Sequence, residues 1–239
     1  MKNILSERER QELLNLYSDV RVADARDALD ALGYHFQCSM DANIKPLLRI
    51  RVCGIAKTVR YLPYRGSSEY ADYVKNPRLY LSKYAIEYYE KVCPYPWIKT
   101  IQKGDFVVID QSGLRVGLMG SANLLDCWNR GMVGLVTNGE VRDADEILIE
   151  KIPVWCATIS QSTVHLRLEF DAMDIPIAVG GVQVRPGDII VADGDGVIVI
   201  PIEIAWDIAK IAKEIHEMDK IERRKLYEIG GREYDETVL

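Results

Sequence analysis

No stretch of this chain reaches the roughly 18 consecutive apolar residues that a membrane-crossing helix needs. The N-terminal "MKNILSERERQELLNLY" is charged and lacks the apolar centre of a secretory signal. A cytoplasmic chain with no membrane partner is therefore expected. No C-x-x-C pair occurs among the five cysteines (Cys38, Cys53, Cys93, Cys127 and Cys156), which argues against a zinc ribbon or a disulfide framework. The three histidines, His35, His165 and His216, share no metal-ligand spacing. Positive charge is outweighed, with 30 Lys and Arg against 36 Asp and Glu. The formal net charge is −6, with no Lys/Arg run interleaved with aromatics, so no nucleic-acid partner is expected. Internal repeats, low-complexity tracts and flexible linkers are absent.

What is present is material for a sizeable core: 48% of the 239 residues are hydrophobic. Residues 6–18 read as a helix with Ser6 as N-cap, and "VADARDALDALG" as a second helix ending at Gly33. The β-branched "RIRVCGIAKTVRY" (49–61) reads as a strand. Residues 62–100 hold most of the tyrosines. They read as a covering segment, helical over 76–92, that could shape a pocket. Strands follow at "KGDFVVID", "MVGLVTNG" and "IPVWCATI", with a short helix at 120–131 and another at "DADEILIEK". From residue 176 several short strands are separated by Gly-Gly, Pro-Gly and Asp-Gly turns. The pair Asp193-Gly194-Asp195-Gly196 is expected to be a tight turn, because the remaining ligands of a calcium loop are missing. A last helix, about 203–229, carries Ile204, Ile208, Ile211, Ile215 and Met218 as one stripe, expected to pack on its own sheet. The pattern is that of one α/β domain, 1–239, with a helical segment 1–34 and a C-terminal helix.

One stretch can carry chemistry. If 120–143 runs strand-end, helix, strand, turn, the turns at Gly120 and at Arg142-Asp143 share one sheet edge, where ligands collect in open α/β sheets. The helix after Gly120 offers free N–H groups to an anion. Arg142 offers a permanently charged fork for a carboxylate or an enolate oxygen. Asp143 offers a hard oxygen for Mg2+, which commonly takes one or two protein carboxylates. The plain alternative is a helix start in which Asp143 and Asp145 merely complement the dipole.

The segments "DARDALDALG", "VCGIAKTV", "KGDFVVID", "GSANLLDCWNRGMVGLVTNGEVRDADEI", "IPVW" and "GGVQVRPGDIIVADGDGVIVIP", in that order, resemble the RraA-like family. That family includes the regulator of ribonuclease activity A and the class II 4-hydroxy-4-methyl-2-oxoglutarate aldolases. The likeness covers about 20–60 and 103–230, with G-x-x-G-x-V-x-x-G-x-V-R-D running from Gly131 to Asp143. It implies an α-β-β-α sandwich of the swivelling β/β/α type, assembled as a homotrimer or homohexamer with sites between subunits. It implies that Arg142 binds the pyruvyl oxygen and Asp143 ligates Mg2+ (or Mn2+). The amides of Ala122 and Asn123, after Gly120, would hold a pyruvate carboxylate. Glu217 on a neighbouring subunit's C-terminal helix, with Glu214 as second choice, would reach the metal through water. The chain departs from the aldolase pattern, an acidic residue, then twenty residues, then Arg-Asp, at Ser121, which stands in the acid's place; Asp126 is the substitute donor considered. The implied function is a divalent-metal lyase acting on a small 2-oxo acid, either a 4-hydroxy-2-oxo acid or oxaloacetate. The alternative is a non-catalytic regulator that binds a ribonuclease or another protein. Methyltransfer, a third label in the family, lacks its glycine-rich S-adenosylmethionine loop here.

Overall fold

The computed structural model describes residues 5–66 and 76–239. Helix α1 (Glu7–Leu16) opens with a capping box between Ser6 and Glu9, and α2 (Val22–Ala31) stops before Gly33, whose φ is +86°. Both ends match the expected capping residues.

An eight-stranded sheet forms the centre. Its strands are β1 (Lys45–Pro46), β2 (Val52–Pro63), β3 (Asp105–Asp110), β5 (Gly134–Thr137), β7 (Val154–Cys156), β9 (Leu168–Met173), β12 (Ile189–Ala192) and β13 (Val197–Ile200). The order is β1-β7-β5-β3-β2-β12-β13, with β9 paired to the far end of β2. Strands β2, β3, β5 and β7 are mutually parallel. Buried on both faces, β7 and the centre of β3 read as apolar runs, while β2 also carries Lys57, Thr58 and Arg60. In β3, Val107 and Ile109 enter one core while Phe106 and Val108 enter another, the two-residue alternation of a pleated strand.

A second, three-stranded parallel sheet is made of β4 (Gly117–Met119), β6 (Glu140–Val141) and β8 (Thr158–Ile159). Each of its strands follows a strand of the large sheet after a short turn. This corrects the reading of "IPVWCATI" as one strand. Ala157 donates to the Gly139 carbonyl, and the chain passes from the large sheet to the small one. Period-2 patterning cannot reveal such a jump, because both halves are apolar and extended. A hairpin of β10 (Ile177–Val179) and β11 (Val182–Val184) completes the strands.

Residues 77–91 form helix α3, made of Pro77–Leu79, a π-helical turn Tyr80–Tyr84, and Ala85–Lys91. Tyr84, Tyr88, Cys93 and Trp97 from this region are buried in the core over the parallel strands; 67–75 lie outside the described residues. Short helices α4 (Ser121–Asn129) and α5 (Ala144–Ile149) link the small sheet back to the large one. The C-terminal helix α6 (Ala205–Ile229) buries Ile208, Ala209 and Ala212 with Leu13, Ala25 and Leu29 of α1 and α2 and with Ile189 and Ile200 of the sheet. The expected stripe runs out along its length: Ile211 and Ile215 are half-buried and Met218 is 67% exposed. The Asp193–Gly196 segment is the tight turn expected. Its Asp193 also accepts the Val22 N–H at the start of α2. No helix among the described residues is long and apolar enough to cross a membrane.

Candidate active site

Strands β4 and β6 are parallel neighbours, with Met119 level with Val141. The residues just beyond them therefore meet. Arg142 N–H donates to the Met119 carbonyl at 2.9 Å, locking the two strand ends together. Gly120 then begins α4, and Asp143 begins α5.

Asp143 sits in the left-handed region at φ +59°, ψ +44°. It occupies the N-cap position of α5 yet makes no side-chain cap to that helix. Its carboxylate turns the other way. Oδ2 accepts the Ser121 N–H of α4 at 3.3 Å, and Oδ1 accepts Arg142 Nε at 2.9 Å. The plain helix-start reading of Asp143 thus fails for its side chain, which serves a different helix. Left-handed backbone is costly for most residues, and Asp is among the few that tolerate it. The glycine at 120 makes the approach possible: a Cβ there would fall 2.4 Å from Asp143 Oδ2.

The result is a cleft of about 380 Å³ lined by Gly117, Leu118, Gly120, Ala122, Asn123, Arg142 and Asp143, with Tyr89 and Tyr95 forming the opposite wall. In α4 the first intrahelical acceptor bond is Leu124 N–H to the Gly120 carbonyl. The N–H groups of Ala122 and Asn123 are thus left for an incoming acceptor. Among the described residues neither Nη of Arg142 has a hydrogen-bond partner, while Asp143 holds its Nε and pushes the guanidinium further up from its ordinary range. The side chains of Arg142 and Asp143 are 40% and 34% exposed, so a ligand can reach both. A second hollow, beside the first, is lined by Asp145, Glu146, Ile159, Ser160 and Gln161 as well as the Arg-Asp pair.

Gly120, Ser121, Ala122, Asn123, Arg142 and Asp143 thus converge on one sheet edge. Glu217 and Glu214 do not join them within this chain. Both are on α6, which packs in a separate core with α1 and α2, and Glu217 pairs with Lys220 at 3.1 Å. Asp126 pairs with Arg130 on α4. Ser121 contributes its backbone N–H. Cys127 is fully buried and its thiol is pushed up to about 12 by burial, which suits packing and not nucleophilic attack.

Reading the sequence alone pointed to a pocket-shaping segment at 62–100 but singled out neither Tyr89 nor Tyr95. Tyr95 Oη donates to the Leu118 carbonyl at 2.9 Å, fixing the wall to the small sheet. Tyr89 Oη lies 3.2 Å from Thr163 Oγ1. Behind it, His165 is 8% exposed and is ringed by Tyr80, Tyr84, Tyr88 and Tyr89 at centroid distances of 5.0–5.6 Å. Its Nδ1 is 2.6 Å from Tyr80 Oη, and burial lowers its basicity. The high tyrosine count of this region was the available signal. Which rings face the cleft depends on the π-helical turn, and no simple periodicity reveals that.

The RraA-like family (Aldolase/RraA) matches residues 22–199. Over 193 residues, 80% of this chain, the sequence is 29% identical to protein DlpA of Legionella pneumophila, covering 27% of that protein. Over 126 residues, 52% of this chain, it is 32% identical to a putative 4-hydroxy-4-methyl-2-oxoglutarate aldolase of Halalkalibacterium halodurans, covering 59% of it. The matches thus span less than two thirds of these relatives. In three dimensions the chain is similar to Streptomyces coelicolor RraAS2, described as an unusual member of the RNase ES inhibitor RraA protein family. The TM-score is 0.72 at 26% identity, over 90% of this chain and 98% of the other.

Proposed function

Because this chain belongs to the RraA-like family, which holds both proteins named as putative aldolases and regulators of ribonucleases, we propose that it is a divalent-metal-dependent carbon–carbon lyase. Its substrate would be a 4-hydroxy-2-oxo acid or oxaloacetate, split through a pyruvate enolate. The observation that carries this reading is the Asp143 carboxylate, held in left-handed backbone against the start of α4 and beside Arg142 instead of capping its own helix.

The chain's own groups divide the work. The Ala122 and Asn123 N–H groups donate to the substrate carboxylate at the positive end of α4. The Arg142 Nη groups donate to the C2 oxygen and favour the enolate, where negative charge grows as the C3–C4 bond breaks. With a 4-hydroxy-2-oxo acid the C4 hydroxyl gives its proton to water as the C4 carbonyl forms, and with oxaloacetate C4 leaves as CO2; in either case C3 of the enolate then takes a proton from water to give pyruvate. Asp143 orients Arg142 through Nε.

The donor set suits a hydrated Mg2+ or Mn2+ ion. Asp143 is a hard, partly exposed carboxylate whose oxygens each accept one N–H and keep lone pairs to spare. Such ions bind through one or two protein carboxylates and otherwise through water and substrate oxygens. No group of three or more His, Cys, Asp or Glu side chains that could form a closed cage occurs among the described residues. Bound there, the ion would polarise the substrate carbonyl as a Lewis acid.

The test is pyruvate release, coupled to lactate dehydrogenase, over a panel of 4-hydroxy-2-oxo acids and oxaloacetate with Mg2+ or with EDTA. EDTA-sensitive turnover that Asp143→Ala abolishes is expected. Turnover by Asp143→Ala at the wild-type rate without metal would defeat the mechanism. Ser121, lacking a second acid's charge, favours the alternative of a protein-binding regulator. Recovery of no stable macromolecular partner in a pull-down would count against that alternative.

A further inference from the structure

If the lyase reading holds, the cleft also constrains what may hang from C4 of the substrate. The open cleft of about 380 Å³ is in the range occupied by drug-sized ligands, well beyond a pyruvyl unit. Once that unit lies on α4 and Arg142, the remaining room is bounded by Tyr89, Tyr95 and Leu118.

We infer that this tyrosine wall makes the site select a 4-hydroxy-2-oxo acid with an uncharged, ring-bearing or apolar C4 substituent over one bearing a second carboxylate.

Three observations carry this. The first is charge. Arg142 is the sole cation lining the cleft among the described residues, and Asp143 already shares it. Within one chain a second substrate carboxylate would find no further cation there, and Asp143 beside it would repel it. Arg167, close to the wall, is not a lining residue, and its Nη1 bonds the Thr163 and His165 carbonyls at 3.0 and 3.2 Å. The second is that the wall's polar tips are already engaged. Tyr95 Oη is bonded to the Leu118 carbonyl and Tyr89 Oη to Thr163, so each hydroxyl already has a partner within the protein. The rings pack 6.0 Å apart at a tilt of 35°, a spacing at which aromatic groups associate. The third is the other direction in which a C4 group could point. The adjoining hollow adds Asp145 and Glu146, two carboxylates that repel a third. His165 acts here as a positioning residue: its ring contacts Tyr89 directly and ties α3 to the loop before β9.

The experiment has a turnover arm and a binding arm. In the first, kcat/KM is measured for 4-hydroxy-2-oxo-4-phenylbutanoate and for the dicarboxylate 4-hydroxy-4-methyl-2-oxoglutarate, with wild type, Tyr89→Ala and Tyr89→Phe. The wild type should prefer the phenyl substrate. Tyr89→Ala should lower that preference about tenfold, the scale of one lost ring contact, and Tyr89→Phe should retain it. In the second arm, calorimetry with Mg2+ compares the uncleavable 2-oxo-4-phenylbutanoate with 2-oxoglutarate. Tighter binding of the phenyl acid, weakened by Tyr89→Ala, supports the wall even if neither aldol is cleaved; only the lyase reading then fails. Equal or tighter binding of 2-oxoglutarate, no binding of either acid, or loss of selectivity in Tyr89→Phe would overturn the inference.

Discussion

Gly120 and Asp143 are fitted to one another: a Cβ on the glycine would stand 2.4 Å from Asp143 Oδ2. The two residues lie at the ends of adjacent parallel strands, 23 positions apart in sequence (143 − 120). Gly120→Ala should therefore act on the carboxylate. The backbone at 120, φ −112° and ψ 175°, is open to alanine, so the fold should persist. Turnover should fall about 100-fold, the scale for a catalytic group misplaced by about 1 Å. Unchanged kinetics beside an unchanged melting curve would show that the contact has no catalytic role.

Asp143 itself allows its charge to be separated from its backbone. Asparagine also tolerates the left-handed region, whereas alanine there costs about 1–2 kcal/mol. Asp143→Asn should keep a melting temperature near wild type and lose metal-dependent turnover. Asp143→Ala should lose both, with a drop of several degrees, since about 1 kcal/mol moves Tm by about 2–4 °C at this size. Equal melting temperatures for the two variants would contradict the strain at φ +59°.

Arg142→Lys keeps the charge and removes the fork. A lysine cannot hold Asp143 through a planar N–H and present two further donors together. The expected loss is about 100-fold in kcat, comparable to deleting one donor at a developing oxyanion, with thermal stability little changed because the side chain is 40% exposed. Wild-type kcat with raised KM alone would mean that Arg142 binds substrate without favouring the enolate.

Stability should depend on pH through His165. Burial lowers its pKa from the ordinary 6.5. Below about that pH the unfolded chain takes up a proton that the folded one resists. Its contribution is therefore complete above 6.5 and is lost as pH falls through 6.5 towards the lower folded value. His216 is also lowered, chiefly by burial and against the opposing pull of Asp24, and adds a slope of the same sign. His165→Phe keeps a ring among the tyrosines and should flatten the acid side of the Tm–pH curve. A curve superimposable on wild type would remove His165 from this account.

The helix ends were legible because capping is local chemistry. Ser6 with Glu9 and the glycine after α2 each act within a few residues. The parallel strands of the large sheet were legible too, since burial on both faces leaves apolar runs such as the centre of "DFVVID", whereas the edge strands β1 and β9 carried no such run and were not read. The Arg142-Asp143 pair was visible as a candidate because its residue types carry chemistry, and its distance from Gly120 fits a strand–helix–strand loop.

By itself, then, the sequence determined the element types, the family resemblance and which charged residues could act together. Only the tertiary structure decided that "IPVWCATI" divides between two sheets, that Asp143 turns away from its own helix towards Ser121, and that Tyr89 and Tyr95 face Arg142. The physical reason is range. Caps and periodicity are set by neighbours along the chain, whereas strand register, side-chain direction at a left-handed residue and the pitch of a π-helical turn are settled by contacts between segments that the linear order leaves far apart.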